Sequence, residues 1–108
     1  VADVGRVLGQ RAPSTTLTDL YTVPDGTEVT TSTLMICNIS GSGVTYRVAI
    51  RPKGASIQNY HYIYYGKSLA ANESFAAILG LTLEQNDVVS VWGSDANVIF
   101  NLFGVETS

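Results

Sequence analysis

Hydrophobic and polar residues alternate most cleanly at 44–51. Val44, Tyr46, Val48 and Ile50 fall on one side, and Thr45, Arg47, Ala49 and Arg51 on the other. A period of two over this length predicts a strand with one face buried. Other segments are apolar on both sides. In the run from Val98 to Val105, Val98, Phe100 and Leu102 share one side while Ile99, Phe103 and Val105 share the other. Leu34 to Cys37 is a similar two-sided run at the end of a threonine-rich stretch that begins at Glu28. Further strands are expected at Thr18–Val23, Tyr60–Tyr65, Ser74–Leu81 and Val88–Trp92.

Turn chemistry separates these runs. Pro24-Asp25-Gly26, Ser40-Gly41-Ser42-Gly43, Asn86-Asp87 and Gly93-Ser94-Asp95 supply the residues that set or tolerate turn dihedrals. No segment carries a 3.6-residue period. The pattern predicts an all-β fold, an antiparallel β-sandwich of jelly-roll or Ig-like type with about seven or eight strands. The spacing of the turns leaves those two types open. The expected core is Leu20, Leu34, Ile36, Val48, Ile50, Val89, Val91, Phe100 and Leu102.

The first residues read differently. Val4 to Gln10 can pair as a short strand, but Arg11 to Thr16 is polar and extended, and Pro13 removes a backbone donor. We divide the chain into an N-terminal arm or edge segment (1–16) and a β-sandwich domain (17–108).

With 108 residues, a single domain buries roughly two-thirds of its extended surface. That is too little to cover both faces of every strand. The surplus apolar surface therefore predicts a partner, most simply further copies of the chain. The expected contact residues are Val4, Val7 and Leu8 in the arm, and Tyr62, Tyr64, Ile99 and Phe103 on the second faces. Tyr60, Tyr62 and Tyr64 would share one strand face. Tyrosine suits a protein contact or the stacking of a sugar ring, so carbohydrate stands as the competing partner.

Chemistry-bearing residues are scarce. The chain has one histidine (His61), one cysteine (Cys37), six basic and nine acidic residues, and a net charge of −3. Six scattered cations do not make the dense patch that nucleic acid requires. Arg47, Arg51 and Lys53 read as a solvated strand face and turn. Cys37 lies in an apolar run and reads as a small buried hydrophobe, with no second cysteine to pair with. His61 has no recognisable partner motif with Cys37, Ser56 or a tyrosine, and reads as a surface or interface residue. Asn86-Asp87 and Asp95 with Asn97 lack the several acidic ligands of a calcium site and read as turns. No catalytic, cofactor or metal site is expected. No membrane span or signal peptide is visible, and synthesis in a cytoplasm is the expectation.

Several ordered stretches resemble a group of small proteins encoded among bacteriophage structural genes. They are Val7-Leu8-Gly9-Gln10 with Thr16 to Pro24, Ser32-Thr33-Leu34-Met35-Ile36-Cys37-Asn38, and Phe100-Asn101-Leu102-Phe103-Gly104-Val105-Glu106. The likeness extends to Tyr46 to Ile50 and His61-Tyr62-Ile63. The resemblance implies a virion structural protein. One form is a capsid cement or decoration protein that bridges capsid subunits as a homo-oligomer on the virion surface. The other is a tail, neck or baseplate component. The implied partners are the chain itself and the major capsid or another virion protein. No nucleic acid, membrane or cofactor is implied, and the resemblance transfers no binding residues.

Overall fold

The computed structural model describes residues 3–108. Nine strands follow in order: β1 (Asp3–Arg11), β2 (Thr18–Thr22), β3 (Glu28–Asn38), β4 (Val44–Arg51), β5 (Tyr62–Leu69), β6 (Ser74–Ala77), β7 (Thr82–Leu83), β8 (Val88–Gly93) and β9 (Val98–Thr107). Every pairing is antiparallel. One sheet has the order β1-β9-β3-β6, with β7 also on β3, and the other has the order β2-β8-β4-β5. The fold is therefore an all-β sandwich. The count exceeds the expected seven or eight because the Ser74–Leu81 strand ends early, at Ala77, and a short further strand forms just beyond it at Thr82–Leu83. The chain leaves the β3 ladder after Ala77, exposes Ile78, and rejoins it as β7.

The strand order resolves the choice between sandwich types. The pairs β1·β9, β2·β8, β3 with β6 and β7, and β4·β5 are those of one long hairpin whose tip is the β4–β5 connection. Rolling that hairpin so that successive pairs fall in alternate sheets is the jelly-roll topology.

The core lies between the sheets. Leu20, Leu34, Ile36, Val48, Val89, Val91, Phe100 and Leu102 are buried there as expected. Ile50 is half-buried and packs against them. Tyr46 fills the centre at 1% exposure. Its ring meets Phe100 and Tyr64 edge-on at centroid distances of 6.3 and 5.9 Å, a favourable arrangement for aromatic quadrupoles. Burial, helped by the neighbouring Tyr64 phenol, pushes the Tyr46 pKa up to about 12.

The expected arm is, from Asp3 to Arg11, the edge strand β1; Val1 and Ala2 lie outside the described residues. Gly9 explains how closely this edge sits. A Cβ there would lie 2.2 Å from the Leu20 carbonyl oxygen. Leu8 is the extra residue of a bulge, since Val7 faces Phe103 and Gly9 faces Leu102. It packs against the core, so it is not free to dock on a neighbour as expected.

Candidate functional site

Because the inner rows fill the core, function falls to the outer faces, and these differ chemically. On the five-stranded sheet, the register aligns Val7 with Phe103 and Thr33, and Gly5 with Val105 and Thr30. The next rows align Gln10 with Asn101 and Met35, and Ile99 with Cys37. The result is an apolar band of Val7, Val105, Phe103, Met35, Ile99 and Cys37. Val7 is 46% exposed and Val105 39%; the others are half-buried. Gln10 and Asn101 interrupt it, and the Gln10 side-chain amide donates to Asn101 Oδ1 at 2.6 Å. Cys37 belongs to this outer row, not to the core. Its neighbours Ile36 and Asn38 take the inward positions.

Val4, expected in the same contact set, stands opposite Glu106 at the end of the sandwich. The Glu106 carboxylate accepts hydrogen bonds from Arg6, at 3.1 Å, and from the Tyr21 hydroxyl. Burial chiefly, then the bond and negative charge of Glu106, hold the Tyr21 phenol well above its ordinary pKa.

The outer face of the four-stranded sheet is aromatic and cationic. Tyr65, Arg47 and Trp92 stand side by side on β5, β4 and β8. The Arg47 guanidinium carbon lies 4.3 Å from the Tyr65 ring centroid and 4.0 Å from that of Trp92. Both are cation–π distances. Tyr62 meets Tyr65 edge-on at 4.9 Å, and Asn59, Tyr62 and Tyr65 line a recess of about 300 Å³.

Two bulges on β5 build this arrangement and overturn the expected tyrosine periodicity. Ile63 is extra between the pairs Tyr64–Val48 and Tyr62–Ala49, and Gly66 is extra between Tyr65–Arg47 and Lys67–Tyr46. Gly66 takes the φ of +68° that such a kink needs. Tyr62 and Tyr65 therefore share the outer face. Tyr64, expected in the subunit contact, turns inward against the core instead. Tyr62, Ile99 and Phe103 do face outward, but on two different sheets.

The β4–β5 connection roofs one end of this face. Arg51 donates to the carbonyls of Gly54 and Ala55 at 3.2 and 2.9 Å. It also pairs with Asp19 at 2.7 Å and donates through Nε to the buried Ser90 hydroxyl. Asp87 accepts from the backbone N–H of both Lys53 and Glu84, so Asn86-Asp87 holds a turn. Asp95 does the same for Asn97. His61 is 7% exposed, more buried than its sequence context suggested. Its Nδ1 accepts the Gln58 N–H at 3.0 Å, fixing the turn that delivers Asn59 to the recess. Among the described residues no three His, Cys, Asp or Glu side chains group closely enough to hold a metal.

Sequence reading missed Asn59, Arg47 and Trp92 as one site. Arg47 carries the right face parity, but Tyr65 joins it only through the bulges of β5, and Trp92 lies on β8, far away in the sequence. A scan against protein-family models finds no match to the chain, and a search of curated proteins finds none either.

Proposed function

We propose that this protein is a non-enzymatic virion structural protein, a cement or decoration module that bridges neighbouring capsid subunits as a homo-oligomer. The observation that carries this reading is the apolar band across β1, β9 and β3, beside the edge of β1. Water-exposed Val7 and Val105 flanking Phe103 gain free energy only when something covers them. The molecule extends 45 Å by 27 Å along its two longer axes. A face of that breadth accommodates the ~800 Å² per partner of a standard stable interface. Such bridging needs contact area and no reactive group, and repeated weak contacts add through multivalency. The likeness to small phage structural proteins supports the same setting. At the level of fold alone, jelly rolls recur in viral capsid and lectin domains.

The test is light scattering after size exclusion, followed by co-sedimentation with capsid shells of the phage that encodes the chain. The expected outcome is a discrete oligomer that binds shells, with Phe103→Asp losing both properties while keeping its fold. A wild-type monomer that ignores shells would sink the cement reading. Binding to purified tails instead would move the protein to the tail or neck.

A further inference from the structure

We infer that the outer face of the four-stranded sheet is a second binding site, for a glycan that carries a carboxylate. Arg47 is the starting point. Its guanidinium is clamped between the faces of Tyr65 and Trp92. Its Nε is shielded from solvent and meets no acceptor among the described residues. A shielded donor without an acceptor is uncommon in a folded protein and points to a missing partner.

Nor, among the described residues, does a carboxylate neutralise this cation. Asp19 pairs with Arg51, Glu84 with Lys53 and Glu106 with Arg6, and Arg47 takes part in none of these. On the face itself Asp19 and Arg51 cancel, leaving the charge of Arg47. The two rings hold its planar fork in place in advance. A guanidinium held this way is suited to an anion with two oxygens, above all a carboxylate, through paired N–H···O bonds.

The remaining features favour a sugar over a protein partner. Tyr65 borders both the cation and the recess, so one ligand can reach both. The recess volume, about 300 Å³, sits at the small-molecule end of binding sites, where a few polar groups orient a ligand against apolar walls. Asn59 offers an amide that can both donate to and accept from hydroxyls. Tyr65 is 64% exposed and Tyr60, beside the recess residue Asn59, is 83% exposed. These are rings free to stack on a sugar face. The broad apolar surface that suits a protein contact lies on the opposite sheet.

The test uses a panel of oligosaccharides ending in hexuronate or sialic acid, each beside its methyl ester. Binding is read by calorimetry and by the fluorescence of Trp92, the only tryptophan. The expected result is saturable binding of at least one acid. Its ester should bind on the order of tenfold more weakly, since esterification removes the charge-assisted pair. Arg47→Met should weaken the acid by a similar factor and so remove most of the preference for acid over ester. Arg47→Lys keeps the charge but not the fork and should fall between. Tyr65→Ala, at a largely exposed position, guards against a folding defect at Arg47 and should weaken acid and ester alike. If no acidic glycan binds, or if acid and ester bind equally, the inference is overturned. Capture of an acidic peptide in place of every glycan would overturn it in favour of a protein contact.

Discussion

Asn38 offers a demanding check on how the sandwich is closed. It ends β3 at 1% exposure. Its Nδ2 donates to the carbonyls of Ser42 and Ala70 at 2.7 and 3.0 Å. Its Oδ1 accepts from the Ser40 N–H and hydroxyl at 2.9 and 2.8 Å. One amide thus joins the β3–β4 turn to the β5–β6 connection. Replacing Asn38 by Ala removes four well-formed bonds, each contributing ~1 kcal/mol net. The Ser40 hydroxyl, released from Asn38, can then give its one proton to the Ser42 carbonyl 2.9 Å away, which returns part of the loss. The expected destabilisation is about 3 kcal/mol, a fall in Tm of roughly 12–24 °C for a domain of this size. Asn38→Asp is the sharper variant. It keeps the acceptor but sets a buried carboxylate oxygen against two carbonyls, so it should be less stable than Asn38→Ala at pH 7. Acidification to about pH 4 should narrow the gap, because a protonated Asp regains one donor. Urea unfolding followed by circular dichroism measures both, with an unchanged m-value confirming a stability effect. A loss below ~1 kcal/mol for Ala, or an Asp variant as stable as wild type at pH 7, would refute the account.

Gly9→Ala forces a methyl to within 2.2 Å of the Leu20 carbonyl oxygen, and should cost about 1–3 kcal/mol as overpacking. Gly41→Ala, with nothing within 4 Å, is the matched control and should be neutral in the same urea series. Alkaline stability follows from the two raised phenols. An unfolded tyrosine loses its proton near pH 10, whereas folded Tyr46 holds it to about 12 and Tyr21 is also raised. Between those values the folded state binds more protons, so stability is intact below pH ~10 and falls as pH rises, by up to ~1.4 kcal/mol per pH unit per tyrosine. Tyr46→Phe should flatten that slope in unfolding measured from pH 9 to 12; an unchanged slope would remove Tyr46 from the account.

The sequence foretold the sandwich because period-two burial survives in β9 from Val98 to Gly104 and in β4 from Val44 to Val48. Val44, Tyr46 and Val48, and likewise Val98, Phe100 and Leu102, are buried where alternation put them. Alternation failed wherever a bulge intervened. One extra residue at Ile63 reverses the parity of everything beyond it, which sent Tyr64 to the core and Tyr65 to the surface. No local signal marks Ile63 as the bulge, since it is β-branched and otherwise reads as strand. Gly66 does carry such a signal, a glycine inside a strand pattern. Leu8 differs from Tyr64: it is itself the extra residue of its bulge, and alternation after the outward Val7 already turns it to the core. The candidate site was less legible than the fold. It depends on β5, β4 and β8 lying side by side, a non-local pairing that no stretch of sequence encodes alone.

The two outer faces make the two proposals separable. Packed sheets stand ~10 Å apart, and the core between them is filled by Tyr46, Phe100 and their neighbours. A partner seated on the five-stranded sheet therefore leaves the Arg47 face turned to solvent on the far side. Phe103 and Arg47 belong to different sheets and share no partner in the register, so their variants should act independently. Phe103→Asp should abolish assembly with glycan affinity unchanged. Arg47→Met should weaken the acidic glycan with shell binding unchanged. In the double variant each loss should equal that of its single variant. If Arg47→Met instead releases the protein from shells, the cationic face is itself the docking surface, and the division of labour between the sheets is wrong.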